Sequence, residues 1–114
     1  MTVRQAILQA DELRPNAISE EHKARWLHQL DGRLAETMDR EAPENPWPED
    51  WALLMPHPYD NIYELYLCAM IDFANLDLDQ YAADQAMYDT AYSQALAWWR
   101  RHHLPKITER GARA

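Results

Sequence analysis

The sequence predicts an all-α fold: a compact bundle of about four helices, with a proline-rich irregular connection, or a short β piece, between the second and third. Three observations carry that expectation. Seventeen alanines and thirteen leucines stand against only ten residues of Val, Ile and Thr together, a balance that favours helix over sheet. Two glycines in 114 residues leave little material for the tight turns of a β-rich fold. Apolar residues recur at three- and four-residue intervals in four separate segments. A chain of this length forms one domain, residues 1–114, with an ordinary globular composition of 47% hydrophobic and 26% charged residues.

The first helix is expected from Thr2, an N-cap, to Leu13. Val3, Ala6, Ile7 and Ala10 line one face, and Arg14 resists helical geometry because Pro15 follows. The second begins at Ser19, with Glu20 and Glu21 placing negative charge at the positive end of the helix dipole. Trp26, Leu27, Leu30, Leu34 and Met38 form its stripe, and its end is expected near Glu41. Gly32 inside it either admits a close neighbour or is simply tolerated, at a cost of roughly 1 kcal/mol.

Residues 42–58 carry five prolines, Pro43, Pro46, Pro48, Pro56 and Pro58, which exclude a continuous helix. Trp51 to Met55 is expected to be extended, an edge strand or hairpin arm, with Trp47, Trp51 and Leu54 anchoring the connection on the helices. The third helix starts near Tyr59 or Asp60. Ile62, Tyr66, Ala69, Met70 and Phe73 mark its face, Tyr63, Leu67 and Ile71 broaden it, and so apolar a helix belongs at the centre. The fourth follows a break at Asn75–Asp77, with Asp77 as N-cap. Tyr81, Tyr88, Ala95 and His102 recur every seventh residue, and Ala91, Tyr92, Trp98 and Trp99 fill the seam. Pro105 ends this helix, and residues 107–114 are expected to form a flexible tail.

Charge and cysteine usage narrow the function. A formal net charge of −8 argues against tight nucleic-acid binding, although Arg100, Arg101, Lys106, Arg110 and Arg113 gather near the C-terminus. No apolar run is long enough to cross a membrane. The start of the chain lacks a secretion-signal pattern, and the single cysteine suits a reducing compartment, so a cytoplasmic protein is expected.

Candidate chemistry is sparse. Asn75, Asp77 and Asp79 resemble the start of a calcium loop, but Gln80 and Ala86 occupy its glycine and glutamate positions. His22 and His28 are six apart and His102 and His103 adjacent, both poor spacings for a shared metal. Cys68 lies in an apolar helical run, where it acts as a small hydrophobe with a raised pKa. Ser19 and Ser93 lack a nucleophile-elbow context. Glu36, Asp39, Glu64, Asp72 and Asp84 are candidates for a magnesium site in a small helical hydrolase, although solvated helix faces explain them more simply. His57 between Pro56 and Pro58 suggests a catalytic loop, yet the prolines, Asp60 and Glu64 together read better as an architectural joint before a helix. No catalytic, cofactor or metal residues are therefore assigned.

The set Leu13-Arg14-Pro15-Asn16, Lys23 to Arg33 with Trp26, Leu27, Leu30 and Gly32, and Leu53 to Tyr63 with Pro56, Pro58 and Asp60 resembles small proteins of tailed-phage and prophage genomes. Met70-Ile71-Asp72-Phe73, Tyr81, Met87-Tyr88, Ala91-Tyr92, Trp98 and His103-Leu104-Pro105 extend the likeness over about residues 10 to 106, with the segment Glu41–Glu49 divergent. These proteins are placed with head–tail connection and morphogenesis. The resemblance implies a non-enzymatic adaptor that acts by protein–protein contacts at the portal vertex. Its partners would be the portal or neighbouring head and tail proteins, with a homo-oligomeric ring in the particle, and it would pass from the host cytoplasm into the virion. It implies no cofactor and no catalytic residue. An acidic subunit repeated around a channel would repel passing DNA, and aromatic side chains make good interface anchors. Trp26, Tyr66, Tyr88 and Trp98 are expected in the core, and Trp47, Trp51, Tyr59 and Trp99 at the interface. Two other classes remain: the magnesium hydrolase, and a regulatory module reading nucleic acid through Arg100 and Arg101.

Overall fold

Helix ends in this protein are set by local chemistry. In the computed structural model, which describes residues 1–41 and 51–103, α1 spans Val3–Leu13. Thr2 Oγ1 accepts from the Gln5 N–H at 3.2 Å while Gln5 Oε1 accepts from the Thr2 N–H at 2.9 Å, a complete capping box. Arg14, ahead of Pro15, leaves the helix in an extended conformation. Helix α2 spans Glu20–Thr37, with Ser19 Oγ accepting from the His22 N–H at 3.1 Å. It stops about a turn before the expected Glu41. Asp39 adopts a left-handed φ of 53°, and the Arg40 N–H reaches back to the Ala35 carbonyl at 2.8 Å, closing a Schellman motif.

Helix α3, Asn61–Ala74, ends in the same motif. The Asp77 N–H donates to the Asp72 carbonyl at 2.9 Å, and the residue in the left-handed position is Leu76, φ 60°. Asp77 then caps α4, Leu78–His102, by accepting from the Gln80 N–H. One residue thus closes α3 and opens α4, which makes the corner between them tight. Arg100, Arg101 and His102 in the last turn of α4 complement its dipole.

Helix α3 is the hub, as expected: α1, α2 and α4 all pack on it, and α4 does so most extensively. Its buried face differs from the expected one. Ile62, Tyr63, Leu67, Cys68, Ala69, Ile71 and Asp72 are buried, whereas Phe73 is 55% exposed and Tyr66 and Met70 are half-buried. The helix is apolar almost all round, so composition could not select the side its neighbours cover. Val3, Ala6, Ile7 and Ala10 of α1 and Leu27, Leu30, Leu34 and Met38 near and along α2 complete the core as expected.

The connection before α3 is extended but pairs only at one point. Thr2 and Ala52 form an isolated antiparallel bridge, with the Val3 N–H donating to the Trp51 carbonyl at 3.0 Å and the Leu53 N–H to the Met1 carbonyl at 2.9 Å. Among the described residues there is no longer strand. Leu53 and Met55 are its buried anchors, rather than the expected Trp51, which is 38% exposed, or Leu54, which is half-buried. Trp47, residues 43–50 of the proline-rich connection and the 107–114 tail lie outside the described residues. Among the described residues no helix is long and apolar enough to cross a membrane.

Candidate functional site

Of the four interface candidates, Trp51 is exposed as required. Tyr59 stacks on Trp98 with ring centroids 5.1 Å apart, and Trp99 lies against His103; both are half-buried against the core. Tyr59 therefore braces the start of α3 against α4, and Trp99 packs partly on the core, so neither simply faces outward. Among the four expected core aromatics, Tyr88 is buried, while Trp26, Tyr66 and Trp98 are half-buried and pack on the core from its edge.

The larger exposed apolar surface is at the α3–α4 corner. Phe73 is 55% exposed, Leu76 78% and Leu78 59%, and Phe73 packs on Tyr81 at a centroid distance of 5.4 Å. The end of α1 adjoins this corner: Asn75 Nδ2 donates to the Pro15 carbonyl at 3.3 Å, and Leu13 is 51% exposed. A second apolar feature is an open groove of about 420 Å³ between α3 and α4, lined by Leu65, Ala86, Met87 and Ala91.

Beneath the corner is a buried ion cluster. Arg14 Nη2 lies 2.8 Å from Asp84 Oδ2, and Arg14 Nε lies 3.2 Å from Asp72 Oδ1, so one guanidinium joins the end of α1 to α3 and α4. Gln80 Nε2 donates to Asp84 Oδ1 at 3.2 Å. Asp72 and Asp84 are each 3% exposed, which corrects the reading of both as solvated helix-face residues. Burial, reinforced by the neighbouring Asp84, pushes the Asp72 carboxyl up. Burial acts the same way on Asp84, but hydrogen bonds from Asp72, Arg14 and Gln80 outweigh it and hold Asp84 low.

A second buried carboxylate fixes the connection to the helices. Asp31 Oδ1 accepts from the Tyr63 hydroxyl at 2.6 Å and Oδ2 from the Leu54 N–H at 3.1 Å, while the Tyr63 oxygen accepts from the Met55 N–H at 2.8 Å. Burial raises the Asp31 pKa against the pull of these donors. A third buried charge, Lys23, is neutralised by Asp11 at 2.7 Å and bonded to Asn16 Oδ1 at 3.0 Å.

The remaining sequence candidates stay apart. His57 is exposed, 3.7 Å from Asp60, on a turn closed by the Tyr59 N–H to the Pro56 carbonyl at 2.8 Å, the geometry of a joint. His102 and His103 fold back onto the carbonyls of Trp98 and Trp99 at 2.9 and 3.0 Å. His22 meets the Trp26 ring edge-on. Burial pushes the Cys68 thiol up to about 12, as its apolar setting implied. Glu36 and Asp39 are exposed at the end of α2, away from the Asp72–Asp84 pair, and among the described residues no three His, Cys, Asp or Glu gather as metal ligands.

Sequence reasoning missed the ion cluster and the apolar corner. Asp84 sits on the same helical stripe as Tyr88, Ala91 and Ala95, a signal of burial that its charge obscured. Arg14 is 70 residues from Asp84, a pairing that no local pattern could reveal. No protein-family model matches this sequence, and comparison with curated proteins and with solved structures returned no similar chain.

Proposed function

We propose that this chain is a structural protein of a tailed phage or prophage, a head–tail connector or adaptor that works by protein–protein contact at the portal vertex. The resemblance across residues 10 to 106 suggests the class. The observation that carries the mode of action is the α3–α4 corner. Leu76 exposes 78% of its surface and occupies a left-handed backbone position that a leucine adopts only at a cost of about 1–2 kcal/mol. Glycine or asparagine would suit the turn better, and a polar residue would suit solvent better. A side chain unfavourable on both counts is what a docking contact requires, and the exposed Phe73 and Leu78 beside it on the same corner add apolar surface.

Co-purification with a portal or neighbouring head protein tests the reading. Leu76→Asn should abolish capture while leaving the fold at least as stable, Phe73→Ser should abolish it at a cost of about 1 kcal/mol for the lost contact with Tyr81, and Trp51→Ala should weaken it. Tyr59→Ala should act chiefly through loss of its stack on Trp98. Retained capture by both corner variants would remove the corner from the contact surface, and no capture of any head or tail protein by the native chain would remove the connector reading.

The magnesium hydrolase receives one specific support, the approach of Asp72 to Asp84, but Arg14 already fills the space between them. Magnesium-dependent turnover lost in Asp84→Asn would favour it. Arg100 and Arg101 are both exposed, and salt-sensitive DNA binding lost on their replacement would favour the nucleic-acid module.

A further inference from the structure

The Asp72 carboxyl presents a problem of charge and of hydrogen bonding together. Its Oδ2 is buried and meets no donor in the protein, at odds with the rule that buried polar atoms are satisfied. The surrounding groups make this worse if Asp72 is ionised. Arg14 from the end of α1 contributes one positive charge and is already committed to Asp84 through both Nε and Nη2. Asp84 faces Asp72 from α4, Asp77 adds negative charge from the corner, and on α3 itself the preceding turns carry Cys68 and Glu64. Two ionised aspartates against one guanidinium would leave a net negative charge in a buried site.

We infer that Asp72 and Asp84 hold a single proton between them, carried on Asp72 Oδ2 and donated to the Asp84 carboxylate, so that with Arg14 the three side chains form a neutral latch. The proton solves both difficulties. It turns the orphaned oxygen into a donor whose acceptor is the adjacent carboxylate, and it balances the cluster at one positive and one negative charge. A carboxyl–carboxylate pair of this kind binds its shared proton tightly because two like charges gathered on one guanidinium cannot both persist away from water. The latch closes the corner: Arg14 holds the end of α1, Asp72 the last turns of α3, and Asp84 the first turns of α4.

The sign of the pH response follows. The folded-state pKa of Asp72 is raised, from 3.8 to about 7, so the folded chain holds a proton that the unfolded chain has released. The contribution of Asp72 is therefore fully present below about pH 4 and is lost progressively as pH rises to about 7, levelling beyond it.

Two measurements test the inference. In a carbon-detected NMR titration of the native chain, the Asp72 side-chain carboxyl should titrate near pH 7 while that of Asp84 remains ionised below pH 4. Asp72→Asn places a permanent donor at the same position, so its stability relative to the native chain should rise steadily between about pH 4 and 7 and then stay constant. Both carboxyls titrating at or below about pH 4 would overturn the latch, as would a stability difference that does not change with pH. The titration needs no variant, so an unfolded Asp72→Asn chain would still leave the inference decided.

Discussion

Asp31 and Asp72 are buried to nearly the same degree, at 2% and 3% exposure, yet they are accommodated in opposite ways. Asp31 meets a neutral donor at each oxygen, one from a tyrosine and one from the backbone. Asp72 meets a shared cation at one oxygen and nothing at the other. Donors around Asp31 oppose the effect of burial, whereas the carboxylate beside Asp72 adds to it. Burial alone therefore does not decide what a carboxylate does. The groups it faces decide whether it serves as a fixed acceptor or as a proton carrier. The two sites also divide the fold between them: Asp31 ties the extended connection to α2 and α3, and Asp72 with Asp84 ties α1 to the α3–α4 corner.

The largest effect is expected where the comparison is most rigid. Tyr63→Phe keeps the ring and removes only the hydroxyl, leaving Asp31 without one donor and the Met55 N–H without an acceptor. Each buried group left unsatisfied costs about 1–3 kcal/mol, so urea unfolding at neutral pH should report a loss of about 3 kcal/mol. A loss below about 1 kcal/mol would mean that water replaces the hydroxyl and that Asp31 is not held as a fixed acceptor.

A smaller effect is expected at Arg14, whose side chain remains 27% exposed, so that water partly replaces it. Arg14→Met should cost about 1–3 kcal/mol by the same measurement. The informative quantity is its coupling to Asp72→Asn. Without the guanidinium, the pair loses the cation that favours its ionised forms, so it should hold its proton to higher pH. The two substitutions should then be non-additive above pH 7, by about 0.5–3 kcal/mol, and nearly additive at pH 4. Additivity at both pH values would separate Arg14 from the proton and reduce the latch to a simple ion pair.

What the sequence revealed follows the same division between local and distant chemistry. Thr2, Ser19 and Asp77 were legible as caps because an N-cap depends on residues two or three positions away. The stop at Pro15 was legible for the same reason. The end of α2 was not, because its Schellman turn uses Asp39 where glycine would have announced it. In the connection, a period of two puts Leu53 and Met55 on one face and separates them from Leu54, but it puts Trp51 on that same face, so the exposure of Trp51 was not legible from the pattern. The central place of α3 could be read from its composition, but its inward side could not, and Phe73 was assigned to the core although it is exposed. The ion cluster depends on residues from three helices or helix ends meeting in space. Only the position of Asp84 on an apolar stripe gave any warning of it.

The smallest predicted effect is at Gly32, the residue after Asp31. A Cβ built there meets nothing within 4 Å, so the glycine is tolerated rather than required for close packing. Its position inside α2 makes Gly32→Ala stabilising by about 1 kcal/mol, since alanine loses less backbone freedom on folding. This substitution also sharpens the comparison. It stiffens the helix that carries Asp31 without touching Tyr63, Leu54 or Met55, so the cost of Tyr63→Phe should be unchanged in its presence, within about 0.5 kcal/mol. Such additivity, beside the non-additivity expected for Arg14 and Asp72, distinguishes a carboxylate that accepts fixed hydrogen bonds from one that shares a proton. If Gly32→Ala instead altered the cost of Tyr63→Phe, the Asp31 network would depend on the flexibility of α2, and the contrast between the two sites would lie in their helices rather than in their donors.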